Sequence, residues 1–465
     1  MKVLKKVAAV LIFVLYSVSV FAQSVPDRIE GEKDENGSLI NKDGSGVQQN
    51  VINFTGFPVE HYVPEDGVEV MQIVEKSIDI MAESWADNKE DYAIVGHSQG
   101  GLRALAYANV IKQKAKQETD PEMKAKYQHA YDHLGAVITV SGIDKGIKLL
   151  EGGIGNVRAK ALEKVDVLWK GVDSFFHSGL ALGLLWDCFK FISSCDNDLP
   201  NLNDKKEVAK LFIEWFGTTP ELKHFLTLAI DGAGAEELKE IRDMTPFSDF
   251  ITENVADIET ETKKVKDGDT YLSLEWRTKK VGLLKIPYLV IVQKQDYKVY
   301  TEYKYTKLKM DEDIPVGYIV GGYNDLFASM DSGTLFAIDA VRVALGTAVG
   351  IHTLKTVGLI GLFTNSINYA HDAAEACDML LKKEQVVNEF LGSDENDCFV
   401  ARESQFYPKE AHPNVMMKND DKYELFEEYN HRNINPVKNK YVQSKISLML
   451  NEFTDVKTPV IEIKE

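Results

Sequence analysis

The chain has 465 residues, 44% hydrophobic and 27% charged, enough for a large core in one big domain with insertions or in two domains. Its formal net charge is −19 and it has no long basic run, which argues against nucleic acid as a partner and against uniform attraction to an anionic membrane.

The chain opens with "MKVLKKVAAVLIFVLYSVSVFAQS". Lys2, Lys5 and Lys6 precede an apolar run from Val7 to about Val20, and Val20-Phe21-Ala22 fits a small-residue cleavage site. This reads as a secretory signal peptide over residues 1–22, cut after Ala22, and predicts a secreted or periplasmic protein. The run falls short of the ~20 residues a membrane span needs, so an uncleaved anchor is the weaker alternative. Removing three lysines with the signal leaves the rest more acidic still. Residues 23–49 are polar and read as a loose leader.

"NVINFTGFP" then reads as a buried strand broken by Gly56 and Pro58. Val70, Ile73, Val74, Ile78 and Met81 recur at a helical period within Val68–Trp85. "DYAIV" is a short, fully apolar strand, Leu102–Lys112 a helix, and "LGAVITVSG" (Leu134–Gly142) a further buried strand. Apolar strands separated by helices predict a parallel sheet covered on both faces, the α/β class. Two apolar helical regions interrupt it, at about 146–250 and 333–381, and neither has the flanks of a convincing membrane span. Between them lie two strand-like runs, Ile286–Gln293 and Ile314–Gly322. The expected organisation is signal, leader, and one domain over 50–465 carrying both insertions.

The four cysteines, Cys188, Cys195, Cys377 and Cys398, lack zinc-site spacing. An exported chain permits disulfides; Cys188–Cys195 is the nearest pairing along the chain, leaving Cys377–Cys398, though four cysteines allow three pairings and free buried thiols are the alternative. No P-loop, H-E-x-x-H or convincing G-x-G-x-x-G unit is present, so no nucleotide, metal or other cofactor is expected.

"GHSQG" (Gly96–Gly100) matches G-x-S-x-G and sits between a buried strand and a helix, the context of a nucleophile elbow. Ser98 is therefore the candidate nucleophile. The backbone N–H of Gln99, at the helix start, is a candidate oxyanion donor. "VGHSQGGLRALAYA" resembles the elbow of lipases in the α/β-hydrolase superfamily, and "GAVITVSGIDKG" their next strand. "DMTPFSDFI" resembles a segment that follows their lid region, "NDCFVARESQ" the loop carrying their acid, and "YNHRNI" the loop carrying their histidine. The resemblance runs in order over most of Val51 to Ile434. It implies an α/β-hydrolase fold with a mostly parallel sheet and large helical insertions acting as a lid or cap.

A serine hydroxyl needs a base, usually a histidine held by a carboxylate, and the superfamily order is Ser, acid, His. His431 is the chosen base, in a polar stretch where a loop can deliver it; His412 is the alternative, while His352 and His371 fall in apolar helical stretches. His97 is read as part of the elbow and not as the base. Asp397 is the chosen acid, with Asp325 and Asp394 as alternatives. One departure stands out: these lipases begin with a strand ending in His-Gly whose loop supplies a second oxyanion donor, and this chain has none. "FTGF" is the replacement, with Phe57 as donor, or else that first strand is missing. The expected activity is a secreted serine hydrolase, lipase- or esterase-like, working on lipid or other esters, with transient contact to lipid surfaces. An acyltransferase, or a non-catalytic lipid- or protein-binding protein on a hydrolase scaffold, is the alternative.

Overall fold

The computed structural model describes residues 51–55, 70–178, 204–232, 239, 241–281, 284–322, 327, 332–358, 364–417, 423–427, 429–431, 433–436 and 439–456. The signal and leader, Phe57, Asp325, Cys188 and Cys195 lie outside them.

The chain is a mixed α/β protein built on a five-stranded sheet. Its strands are β1 (Val51–Thr55), β2 (Tyr92–His97), β3 (Leu134–Val140), β6 (Val316–Gly321) and β7 (Glu424–Phe426), in that spatial order, and every pairing is parallel. Parallel strands need long crossovers, and helices α1 (Val70–Trp85), α2 (Gln99–Gln117) and α3 (Pro121–Asp132) lie along the chain between β1 and β3. α3 starts sharply because Asp120 caps the amides of Glu122 and Met123 and Pro121 presets the first turn.

β2, β3 and β6 are buried on both faces, which is why they read as unbroken apolar runs. Tyr92, Ile94 and Val137 pack into one core with α1 and α2. The alternate residues Ala93, Val95, Ala136, Ile138 and Ile319 pack with Val442, Ile446, Met449 and Leu450 of α11 (Lys440–Phe453) into the other. Residues two apart in a strand share a face, so one strand serves two cores.

A helical layer is added by α4 (Ile154–His177), α5 (Lys205–Phe216), α6 (Pro220–Asp231), α8 (Ser332–Gly358), α9 (Thr364–Leu381) and α10 (Lys383–Leu391); the short α7 (Asp249–Asn254) leads into a strand that begins at Ala256. α9 packs against α4 and α8. At Gly171 of α4 an added Cβ would stand 2.3 Å from the Ala376 Cβ of α9, so the two helices cross in close contact. The window Ala337–Leu354 of α8 has mean hydropathy 1.3 and satisfies a membrane span by length and composition, yet a third of it is buried within the protein. There His352 bonds the Ser174 carbonyl of α4 at 2.8 Å.

Ile286–Gln293 is strand, as expected, and lies outside the parallel sheet. It lies in β5 (Leu284–Leu308), which pairs with β4 (Ala256–Val281) in a separate antiparallel two-stranded ribbon. Much of β4 is polar, including "TETKKVKDGDT", and alternation of Thr, Lys and Glu gives no apolar run to read. Cys377 and Cys398 are thiols and form no disulfide with each other. Cys377 on α9 donates to the Arg342 carbonyl of α8, and Cys398 is buried in a loop after α10.

Candidate active site

β2 ends at His97 and α2 begins at Gln99, so Ser98 is the whole turn. Its backbone sits at φ 59°, ψ −127°, a conformation that side chains disfavour and that costs of order 1–3 kcal/mol. The turn is held by Ser98 N–H donating to Val140 O at 3.2 Å, and by Ser98 O accepting from Gly101 N at 3.0 Å and Ile143 N at 3.2 Å. The glycines are required by closeness: a Cβ on Gly96 would lie 2.0 Å from Gly100 O, and one on Gly101 2.6 Å from Asp144 Oδ1. The Gln99 side chain points away from the turn, its amide donating to Met244 Sδ at 3.2 Å.

Asp397 lies in the loop following α10, closed by an antiparallel bridge between Asn396 and Ala401. Its Oδ1 accepts the backbone N–H of Phe399 at 3.1 Å and of Val400 at 2.7 Å, an Asx-type turn completed by Cys398 at φ 76°. Gln405 fastens this loop to the C-terminal end of β6. Its Oε1 accepts from Gly321 N at 2.9 Å, and its amide donates to Gly321 O at 3.2 Å and Val400 O at 3.1 Å. Gln405 was inside the quoted acid loop but had no role assigned from sequence, because its partners are backbone atoms of a distant strand.

His431 follows β7 and joins the other two. Its Nδ1 lies 2.8 Å from Asp397 Oδ2 and its Nε2 2.9 Å from Ser98 Oγ, although Ser98 is 333 residues away in sequence. Its own N–H donates to Asp397 O at 2.7 Å. Asp397 and His431 are buried, while Ser98 is partly exposed. Thus one carboxylate oxygen is committed to backbone and the other to the imidazole. The imidazole carries its proton on Nδ1 and turns a lone pair toward the hydroxyl. Such a relay removes the serine proton when an electrophile arrives.

Of the alternatives, His412 and Asp394 do not reach this place. His412 bonds the Ile314 carbonyl at 2.8 Å, just before β6 begins, whereas Ser98 stands where β2 ends; in a parallel sheet those are opposite edges. Burial holds the His412 ring below the ordinary histidine range. Asp394 is exposed on the surface. His97, excluded as base, has its Nε2 2.7 Å from the His431 carbonyl.

Thr55, the last residue of β1, is in register with His97. The chain therefore leaves β1 beside the elbow, and Phe57 follows two residues on, beyond the described residues. This makes Val51–Thr55 the strand next to β2, which leads into Ser98. Outside the triad, His371, Asp372 and Glu375 of α9 bring three donor atoms within 4.8 Å of one another, the two outer residues being exposed.

Sheet and site together define an α/β protein with a serine, histidine and aspartate hydrogen-bonded in series at the C-terminal edge of a parallel sheet. No family model, characterised relative or solved structure matches the chain.

Proposed function

We propose that this protein is an exported serine hydrolase of the α/β-hydrolase type that cleaves carboxylic esters, those of lipids foremost. The hydrogen-bonded series Ser98–His431–Asp397 is the observation that carries the reading. Ser98 Oγ attacks the acyl carbon while His431 Nε2 takes its proton. The imidazolium so formed is stabilised by Asp397, then passes that proton to the departing alcohol oxygen, leaving an acyl-serine. Water attacks the acyl carbon, His431 accepts its proton and returns it to Ser98 Oγ, and the carboxylic acid leaves. The Gln99 amide at the start of α2 and the Phe57 amide beyond β1 are the proposed oxyanion donors; one such donor is worth about 10²–10³ in rate. An acyl transfer to another alcohol would use the same groups.

The lipid preference rests on the helical layer. Phe225 of α6 stacks on Phe399 at 5.8 Å between centroids, and Phe399 meets the His431 ring edge-on at 5.0 Å. Apolar side chains thus pack in series from the inserted helices to the base, which keeps water from that side of the imidazole and is the surface we propose an acyl chain would meet. We read α4–α6, α8 and α9 as a cap over the site.

A fluorophosphonate probe tests the chemistry, because it labels a serine only when that serine is activated. Wild type is expected to label and Ser98→Ala not to. Equal labelling of both would place the nucleophile elsewhere, and no labelling of folded wild type would leave a scaffold without activity.

A further inference from the structure

We propose that His97, the residue preceding the candidate nucleophile, is a positioning residue that anchors the backbone of His431 and thereby sets where the His431 imidazole stands. The described residues around His431 belong to neither helix nor strand, so no ladder of backbone bonds places them. Local turn bonds, from Asn433 and Ile434 N–H to Asn430 O at 3.1 Å, shape the loop, and the contacts that tie it to the site are made at His431 itself. Its N–H donates to Asp397 O at 2.7 Å, its ring bonds Asp397 and Ser98, and its carbonyl accepts from His97 Nε2 at 2.7 Å. The last bond ties the base's loop to β2, the strand that presents Ser98. Nucleophile and base are then located from one rigid element, and a misplacement of about 1 Å in such a pair can cost 10²-fold in rate.

The His97 ring is suited to this task and to no proton transfer. A carbonyl only accepts, so Nε2 carries the proton. Nδ1 is buried without a hydrogen-bond partner among the described residues, so a second proton there would be stranded. Burial, and then the neighbouring His431, push the ring down to about 3. The two rings stand 5.0 Å apart, and a neutral His97 adds no like charge beside the imidazolium that forms at His431 during turnover. Among the residues that could stand before Ser98, a neutral donor of this reach supports the base without opposing it.

Two variants of the full chain separate the donor from the volume. His97→Phe keeps a ring without the N–H; His97→Gln can bring an amide N–H to the same carbonyl. The first readout needs no turnover: the low-field proton resonance of a histidine Nδ1–H bonded to Asp397. It is expected sharp in wild type and H97Q, and broadened or lost in H97F. The second is hydrolysis of a short soluble ester, where H97F is expected to lose about 10- to 100-fold in kcat with KM little changed, and H97Q to recover most of it. If H97F does not fold, His97→Asn replaces it, since its shorter amide cannot reach the carbonyl. An unchanged resonance with kcat within about twofold of wild type in H97F or H97N, or an H97Q as impaired as H97F, overturns the assignment. The catalytic arm rests on the hydrolase reading and the spectroscopic arm does not. A wild type without esterase activity whose resonance still responds to H97F would therefore sink the hydrolase and keep the anchor.

Discussion

Asp397→Asn changes one atom and should disable the site without unfolding it. The carboxylate's two oxygens have different work: Oδ1 receives two backbone N–H groups, at 3.1 and 2.7 Å, and Oδ2 faces His431 Nδ1 at 2.8 Å. An amide has a single oxygen to offer. Turning its NH₂ toward Phe399 and Val400 would set donor against two donors and strand two buried N–H groups, at about 1–3 kcal/mol each. The amide oxygen therefore stays in the Oδ1 position and the NH₂ faces His431. Nδ1 must then accept, which moves the imidazole proton to Nε2, where it points at Ser98 Oγ at 2.9 Å. The ring becomes a donor to the hydroxyl it should deprotonate. Such a tautomer error costs about 10⁴-fold in kcat in a serine protease triad, equivalent to about 5.5 kcal/mol of barrier. Asp397→Ala does something different. It leaves the same two amides without an acceptor and should lower stability by about 2–6 kcal/mol, a large share of the 5–15 kcal/mol typical of a domain. Ester hydrolysis and urea midpoints of both variants separate the two effects. An Asn variant that folds normally and keeps more than about a tenth of wild-type kcat would refute the tautomer reasoning.

Ser98→Ala should lose probe labelling and hydrolysis while keeping the fold; Ser98→Gly should be about 1 kcal/mol more stable than the alanine variant by urea titration, because only glycine relaxes at φ 59°. Gly96→Ala would drive a Cβ into backbone at 2.0 Å, so expression of soluble protein or its labelling should collapse. The His97 ring titrates near 3 when folded against 6.5 when free, so below pH 6.5 the unfolded chain takes up a proton the folded one refuses. Stability from this ring is thus full above that pH and falls by about 1.4 kcal/mol per pH unit on acidification, a slope that H97Q should remove in urea midpoints measured from pH 7.5 to 4.5. Asp144 carries the opposite sign: burial raises it well above 3.8, so folding loses stability as pH rises, and Asp144→Asn should raise the midpoint at pH 7.5 more than at pH 4. If α6 forms part of an acyl trough, Phe225→Ala should reduce turnover of long-chain esters more than of short soluble ones; equal loss on both would remove that reading.

The elbow was legible because its signal is local. An apolar strand, a serine between glycines and a helix occupy Tyr92–Gln117 without a break, and the strain at Ser98 needs those neighbours at those positions. β2, β3 and β6 were legible for a related reason: burial on two faces writes itself as an unbroken apolar run, whereas the half-buried edge strand β7 has no such run. Asp397 and His431 were assigned to Ser98 only through the resemblance of their loops and the order Ser, acid, His, since nothing in a loop's composition states which distant atoms it meets. The ribbon of β4 and β5 escaped because much of β4 is polar and carries little periodic signal. Whether Cys377 and Cys398 pair stayed open in the sequence because pairing depends on where a helix and a loop end up facing.

The sequence alone singled out Ser98, the turn that exposes it and the α/β class, all of which follow from neighbours a few residues apart. Only the tertiary structure brings Asp397 and His431, among the carboxylates and histidines the sequence offered, into one hydrogen-bonded series with that serine. It also decided that Gln405 holds the acid's loop to β6, and that His97, silent in the sequence as anything but elbow, bonds the base's backbone. Those choices rest on contacts between segments up to 334 residues apart, which exist only once the sheet has brought the ends of β2, β6 and β7 to one edge.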